Sequence, residues 1–382
     1  MPAIITHDIF GQDVYQELAT LIGDAAGARD AFLLGNQGPD PLFYSVLYPS
    51  FRAYTHLGSL MHSNKPSELL CAFKEALPFL NDDERPLGRA YVLGFTCHYV
   101  LDRAVHPLVY FHEYTLCDSG APGLDRSHCS EVHALIESEF DEMVLFTKQH
   151  RTIAGFDPHN EVLQGSNALL ATVSKLYVYV ALTVYGLAIR PDLFASSVKA
   201  FRFIEGFFCS PSGAKRAVLG RIEELFRPYS FVRAMSPRNH ETTVSAFGNH
   251  ANEPWENPFT QETSTAGFWD LYNQAQGAAL VAIGNIDKPW FDAATAKRLT
   301  QGLDFSGKPT NALDAGKATA SNPAKAKRTA RTAKAGRDSQ VHEGAKTGGD
   351  SPTHETAKVG GASPVHEGAK AGKGPQTHKR DR

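Results

Sequence analysis

From Val14 to Leu303, apolar residues recur three and four positions apart in one segment after another, and this pattern restricts the chain to a helical architecture. The segments run Val14 to Leu34, Leu69 to Leu80, Leu87 to His106, Ser130 to Gln149 and Asn167 to Ile189. Further ones run Pro191 to Cys209, Ala214 to Phe226, Thr265 to Ile286 and Ala293 to Leu303. Alternating, strand-like runs are scarce. The expected fold class is therefore all-α and multi-helix, punctuated by prolines such as Pro39, Pro66, Pro86, Pro158 and Pro191 at helix boundaries. Pro107 is expected to end a helix, which would leave His106 at its C-terminal edge.

The helical pattern stops near residue 310. Large apolar residues nearly vanish after Leu313, and a 12-residue near-repeat appears three times: SQVHEGAKTGGD, SPTHETAKVGGA and SPVHEGAKAGKG. Such segments cannot bury enough surface to form a core, so residues 311–382 are expected to be a disordered tail behind a folded domain of residues 1–310. The tail holds 14 Lys or Arg against 7 Asp or Glu, which leaves 24 against 34 in the domain, so the tail is net +7 and the domain net −10. Its basic run AKAKRTARTAKAGR reads either as a solubilising segment or as a tether that contacts nucleic acid or anionic lipid. His342, His354 and His366 in the repeats have no fixed geometry for a metal.

The five cysteines, Cys71, Cys97, Cys117, Cys129 and Cys209, are irregularly spaced, and the opening MPAIITHDIF lacks a basic region followed by an apolar run. Neither a disulfide framework nor a signal peptide is expected, and the compartment reads as cytoplasmic, with peripheral membrane contact as the variant. The run Asn167 to Ile189 is long enough to raise a membrane span, but Ser174 and Lys175 at its centre favour a buried core helix.

Chemistry concentrates in two helical segments. In TCHYVLDRAVHP, residues His98, Asp102 and His106 stand four apart and share one stripe of a helix. In SEVHALIESEFDE, His133 and Glu137 repeat that spacing. A single His and Glu pair at this spacing is common surface decoration. Two such helices in succession form a metal-ligand pattern, and imidazoles with a carboxylate suit zinc.

The ordered set THDIF, GNQGPDPLFY, GSLMH, HYVLDRAVHP and HALIE, spanning roughly Ile5 to Phe140, resembles the zinc-dependent phospholipase C family of bacterial phosphatidylcholine-hydrolysing enzymes and clostridial alpha-toxin. The central motif is also similar to that of glycosylphosphatidylinositol-specific phospholipase D. The resemblance implies an all-α phospholipase C or zinc-nuclease-like domain holding two or three zinc ions. It implies that His62, His98, Asp102 and Asp40 surround one zinc, that Asp102 bridges to a second held also by His7, and that His106, His133 and Glu137 hold a third. Asp40 would be both ligand and general base for the attacking water. The implied reaction is attack of an ion-bound hydroxide on the phosphorus of a phospholipid or other phosphodiester substrate, releasing diacylglycerol and a phosphorylated head group.

Two features depart from the family pattern. Only six residues precede His7, whereas the secreted enzymes also ligate through a processed N-terminal residue. The absent secretion signal and the lack of a following lipid-binding sandwich point to an intracellular phosphoester. Other candidates are weighed beside the set: His56 competes with His62, and His112 and His128 flank the metal helices. Asp141 continues the His133 stripe and is expected to orient an imidazole. His240, His250, Trp255 and Phe259 lie in a loop that reads either as an aromatic substrate lid or as an ordinary packed loop. Two readings of other classes stand beside the phospholipase: a single-strand nuclease of the same fold, and a non-catalytic zinc-binding or membrane-associated protein. The acidic domain weighs against a polyanion substrate.

Overall fold

In the computed structural model, residues 4–208 and 238–310 are described. Their helices are α1 (Ile4–Ile22), α2 (Ala28–Gly35), α3 (Leu57–Ser63), α4 (Pro66–Ala76), α5 (Arg85–Cys117), α6 (Cys129–Gln149) and α7 (Pro158–Glu161). α8 (Asn167–Tyr185), α9 (Leu193–Phe208), α10 (Phe268–Ile286) and α11 (Ala293–Thr300) complete the set. Two 3-10 stretches, Asp40–Leu47 and Pro49–Tyr54, carry the chain from α2 to α3. A two-residue antiparallel pair, Trp255–Glu256 with Thr263–Ser264, is the only ladder among the described residues. The all-α expectation agrees with this architecture. The expected helix Ala214 to Phe226 and the whole of residues 311–382, with their repeats and basic run, lie outside the described residues.

Helix α5 is the axis of the domain, 33 residues and about 50 Å long. Its buried residues Ala90, Leu93, Cys97, Leu101, Val105 and Leu108 recur every three to four positions, and α2, α6, α8 and α10 are among the helices that pack around it. The chain passes Pro107 without stopping, contrary to the sequence expectation, so His106 lies well inside the helix. Proline removes the N–H that would bond the Arg103 carbonyl. Here Gly307 closes on that carbonyl so tightly that a Cβ would stand 2.9 Å from the oxygen, and tertiary packing covers the interruption.

The expected helix Val14 to Leu34 divides in two. Gly23 and Gly27 both take positive φ, 97° and 81°, and separate α1 from α2. Helix α1 starts ten residues earlier than expected, at Ile4, because Asp141 on α6 accepts hydrogen bonds from the Ile5 and Thr6 backbone N–H groups at 3.1 and 2.7 Å and from Thr6 Oγ1 at 2.7 Å. A residue 135 positions away thus acts as the cap that the local sequence lacks. Asp141 therefore secures a helix end rather than orienting an imidazole.

Helices α2 and α5 approach closely at Gly35 and Gly94. A Cβ on Gly94 would lie 2.0 Å from the Phe32 carbonyl oxygen, and one on Gly35 would lie 2.2 Å from that of Tyr91. Helix α8 is long and apolar enough to cross a membrane, yet more than half of its apolar window is buried inside the protein. Its Tyr177 packs against Phe73, Tyr91 and Phe194, and Lys175 pairs with Glu84 at 2.6 Å.

Candidate metal centre

The turn after α2 places the first donor. Tyr177 of α8 and Tyr91 of α5 both donate hydrogen bonds to the Gly38 carbonyl, at 2.9 and 3.3 Å, and so hold the turn Gly38-Pro39-Asp40 from two sides. Gly38 has φ of +50°, and a Cβ there would meet the His98 ring at 2.2 Å. Only glycine allows the backbone to lie on the imidazole while presenting Asp40 beyond it.

Around Asp102 the imidazoles converge from three helices. His7 Nε2 of α1 stands 3.0 Å from Asp102 Oδ1, and His98 Nε2, one turn away on α5, stands 3.2 Å from Oδ2. His62 Nε2 of α3 lies 3.0 Å from Asp40 Oδ1 and 3.9 Å from Asp102 Oδ2. The turn opposite to His98 brings His106 Nδ1 to 3.8 Å from the same oxygen. Beyond it, Glu137 Oε1 on α6 lies 3.4 Å from His106 Nε2 and 3.3 Å from His133 Nε2. The sequence-predicted residues His7, Asp40, His62, Asp102, His106, His133 and Glu137 all line one open cavity of about 320 Å³, and His98 lies fully buried behind them.

Three groups of donors lie close enough to share an ion: His7 with Asp40 and His98, His62 with His98 and Asp102, and His106 with His133 and Glu137. The far sides of the rings fit the same use. His98 Nδ1 bonds the Asn36 carbonyl at 3.0 Å, His62 Nδ1 bonds that of Gly58 at 2.8 Å, and His106 Nδ1 bonds that of Phe305 at 3.0 Å. Nδ1 of His133 bonds Glu113 Oε2 at 2.8 Å. Each carbonyl or carboxylate requires Nδ1 to carry the proton, which leaves the Nε2 lone pair facing the carboxylates Asp40, Asp102 and Glu137. His98 Nε2 is buried with no hydrogen-bond partner, the state of a nitrogen kept for another ligand.

The electrostatics are those of a buried carboxylate cluster that demands positive charge. Burial opposes ionisation of Asp102, but His106, His98 and His7 around it hold its carboxyl well below the usual range. Burial likewise opposes Glu137, and His133 and His106 keep it low. Five imidazoles and three carboxylates can meet that demand with divalent ions as well as with protons.

Several contributors escape sequence reasoning. Glu113 is buried and holds His133, yet its i, i+7 offset from His106 gives no motif. Phe305 donates its N–H to the His62 carbonyl at 3.1 Å, accepts from His106, and packs its ring on His62 and His98. Tyr110 forms edge contacts with His106 and His133. None of these could be found without the tertiary arrangement.

The rival candidates lie elsewhere. His56 is exposed at the start of α3, while His62 lines the cavity. His112 packs against Phe111 and Phe247, and burial lowers its pKa. His128 pairs with Asp125 at 3.1 Å near the start of α6. In the loop, His250 Nε2 accepts the Ser245 N–H at 3.1 Å and Trp255 Nε1 donates to the Ala266 carbonyl at 2.9 Å, so both serve local packing. Phe259 does reach the cavity wall, edge-on to Tyr110 at 5.1 Å between ring centroids. A larger cavity of about 550 Å³ between α5, α10 and α11 contains none of these donors.

No family model, curated protein or solved structure matches the chain.

Proposed function

We propose that the protein is a zinc-dependent phosphodiester hydrolase of the phospholipase C type, cleaving a phospholipid or related phosphodiester between glycerol and phosphate. One observation supports this reading: eight donors from four helices and a turn converge around an open cavity, with His106, His133 and Glu137 in one group and His62, His98 and Asp102 in another. Zinc ions bound there would lower the pKa of a coordinated water towards 7 and neutralise the phosphodiester oxygens.

The chain's own groups then have separate tasks. His62, His98, Asp102 and Asp40 would hold one ion, Asp102 and His7 a second, and His106, His133 and Glu137 the third. The Asp40 carboxylate, on the cavity wall, accepts the proton of the attacking water. Ser59, Ser63, Ser306 and Tyr110 line the same wall and supply hydroxyl donors to the phosphoryl oxygens. Phe43, stacked on His62, and Tyr110 give the substrate an aromatic border.

The test is release of a phosphorylated head group from phosphatidylcholine in mixed micelles by the zinc-loaded protein, beside single-stranded DNA as a competing substrate. Expected is cleavage of the lipid, reduced about 100- to 10,000-fold in Asp40→Asn with the fold intact. Tight zinc binding without cleavage of any phosphodiester would sink the hydrolase reading. Preferential cleavage of DNA would transfer it to the nuclease class.

A further inference from the structure

Spacing alone offers no reason to pair any of the cysteines, but the fold brings two of them together. Cys117 ends α5 and Cys129 begins α6, and their Sγ atoms are 3.5 Å apart. Contacts between these helices step in opposite directions along the chain: Cys117 with Cys129, Glu113 with His133, His106 with Glu137. The two helices are therefore an antiparallel hairpin, and the thiol pair sits at its closed end. Its loop, residues 118–128, has positive φ at Gly120 and Gly123, where a Cβ on Gly120 would touch nothing. The Asp118–Arg126 ion pair, with the Arg126 guanidinium 3.9 Å from the Tyr114 ring, closes the loop, and a movement of about 1.5 Å brings the sulfurs from 3.5 Å to bonding distance.

We propose that Cys117 and Cys129 are a disulfide-forming site that braces the α5–α6 hairpin. The oxidant is a low-molecular-weight disulfide. Cys129 is partly exposed and Cys117 is buried, which assigns the order of events. The Cys129 thiolate attacks one sulfur of the small disulfide, forming a mixed disulfide and expelling one small thiol. Cys117 then loses its proton and attacks the Cys129 sulfur, forming the internal bridge and expelling the second small thiol. Two protein thiols are oxidised and one small disulfide is reduced to two thiols. Burial and the neighbouring Glu113 push the Cys129 thiol up, so exchange is slow and is followed to equilibrium.

The bridge matters because of what the hairpin carries. His106, Glu113, His133 and Glu137 all lie on α5 and α6, so the cross-link fixes the spacing of one whole donor group and of the carboxylate that orients it. The existence of the bridge does not depend on the hydrolase reading; only the use of those donors does.

The experiment incubates the full-length protein with oxidised glutathione, alkylates the remaining thiols, and maps the cysteines by peptide mass spectrometry. Thermal melting of the oxidised and reduced forms follows. Expected is a 2 Da loss with Cys117 linked to Cys129, absent in Cys117→Ser and in Cys129→Ser, and a melting midpoint a few degrees higher in the oxidised form. Both thiols recovered alkylated, stable adducts with glutathione alone, or a bridge that leaves the midpoint unchanged or lower would overturn the proposal. Zinc cleavage assays on the same samples report on the hydrolase reading separately.

Discussion

Asp102 is the residue on which the centre depends, since His7, His62, His98 and His106 all lie within 3.9 Å of its two oxygens. Asp102→Asn keeps the shape but removes the charge, and is expected to abolish binding of at least one zinc ion, read by elemental mass spectrometry. Glu113 acts one step further out, through the His133 Nδ1 proton. Loss of a partner that orients a metal ligand weakens binding about 10- to 100-fold, so Glu113→Gln should weaken one of the zinc sites by that amount in a competitive chelator titration. Glu205, buried on α9, has a different consequence. Burial, with Asp141 as a nearby like charge, pushes its carboxyl up from the ordinary 4.5 to about 8. Its ionisation therefore destabilises the fold as pH rises from about 4.5 to about 8, and below that window the group is neutral in both states. Glu205→Gln should match the parent in melting midpoint near pH 4.5 and gain on it progressively towards pH 8. A constant difference across that range would contradict the assignment.

Among the elements, the α2–α5 contact admits the least change. A Cβ on Gly94 would collide with the Phe32 carbonyl at 2.0 Å, a backbone atom that cannot rotate away. Gly94→Ala is expected to destabilise by about 3 kcal/mol or more through overpacking, with displacement of Asp40 because α2 leads directly into its turn. Chemical denaturation of parent and variant measures the first effect, and zinc stoichiometry the second. Helix existence was legible in the sequence because a buried stripe every three or four residues survives in any tertiary context. Helix ends were less so. The Pro107 stop was overridden by Gly307 packing on the freed carbonyl, and α1 begins early because Asp141, distant in sequence, caps it.

For the whole molecule, zinc bound at the proposed centre would be linked to folding, since the donors come from α1, α3, α5, α6 and the turn at Asp40 and meet only in the folded state. Free zinc at a thousand times its Kd adds about 4 kcal/mol per independent ion, so chelation should lower the melting midpoint and zinc should restore it. The order of amino acids was sufficient for the all-α class and for the short-range sets His98, Asp102, His106 and His133, Glu137, because helical geometry alone puts residues four apart on one face. Its motif order also marked His7, Asp40 and His62, though without a distance between them. The tertiary structure decided which histidine near residue 60 faces the cavity, which carbonyls set the imidazole tautomers, and that Glu113, Phe305, Tyr91 and Tyr177 support the centre. Those contacts join residues that local periodicity treats as independent. They arise from packing α5 against the helices around it, and no repeat within one element encodes them.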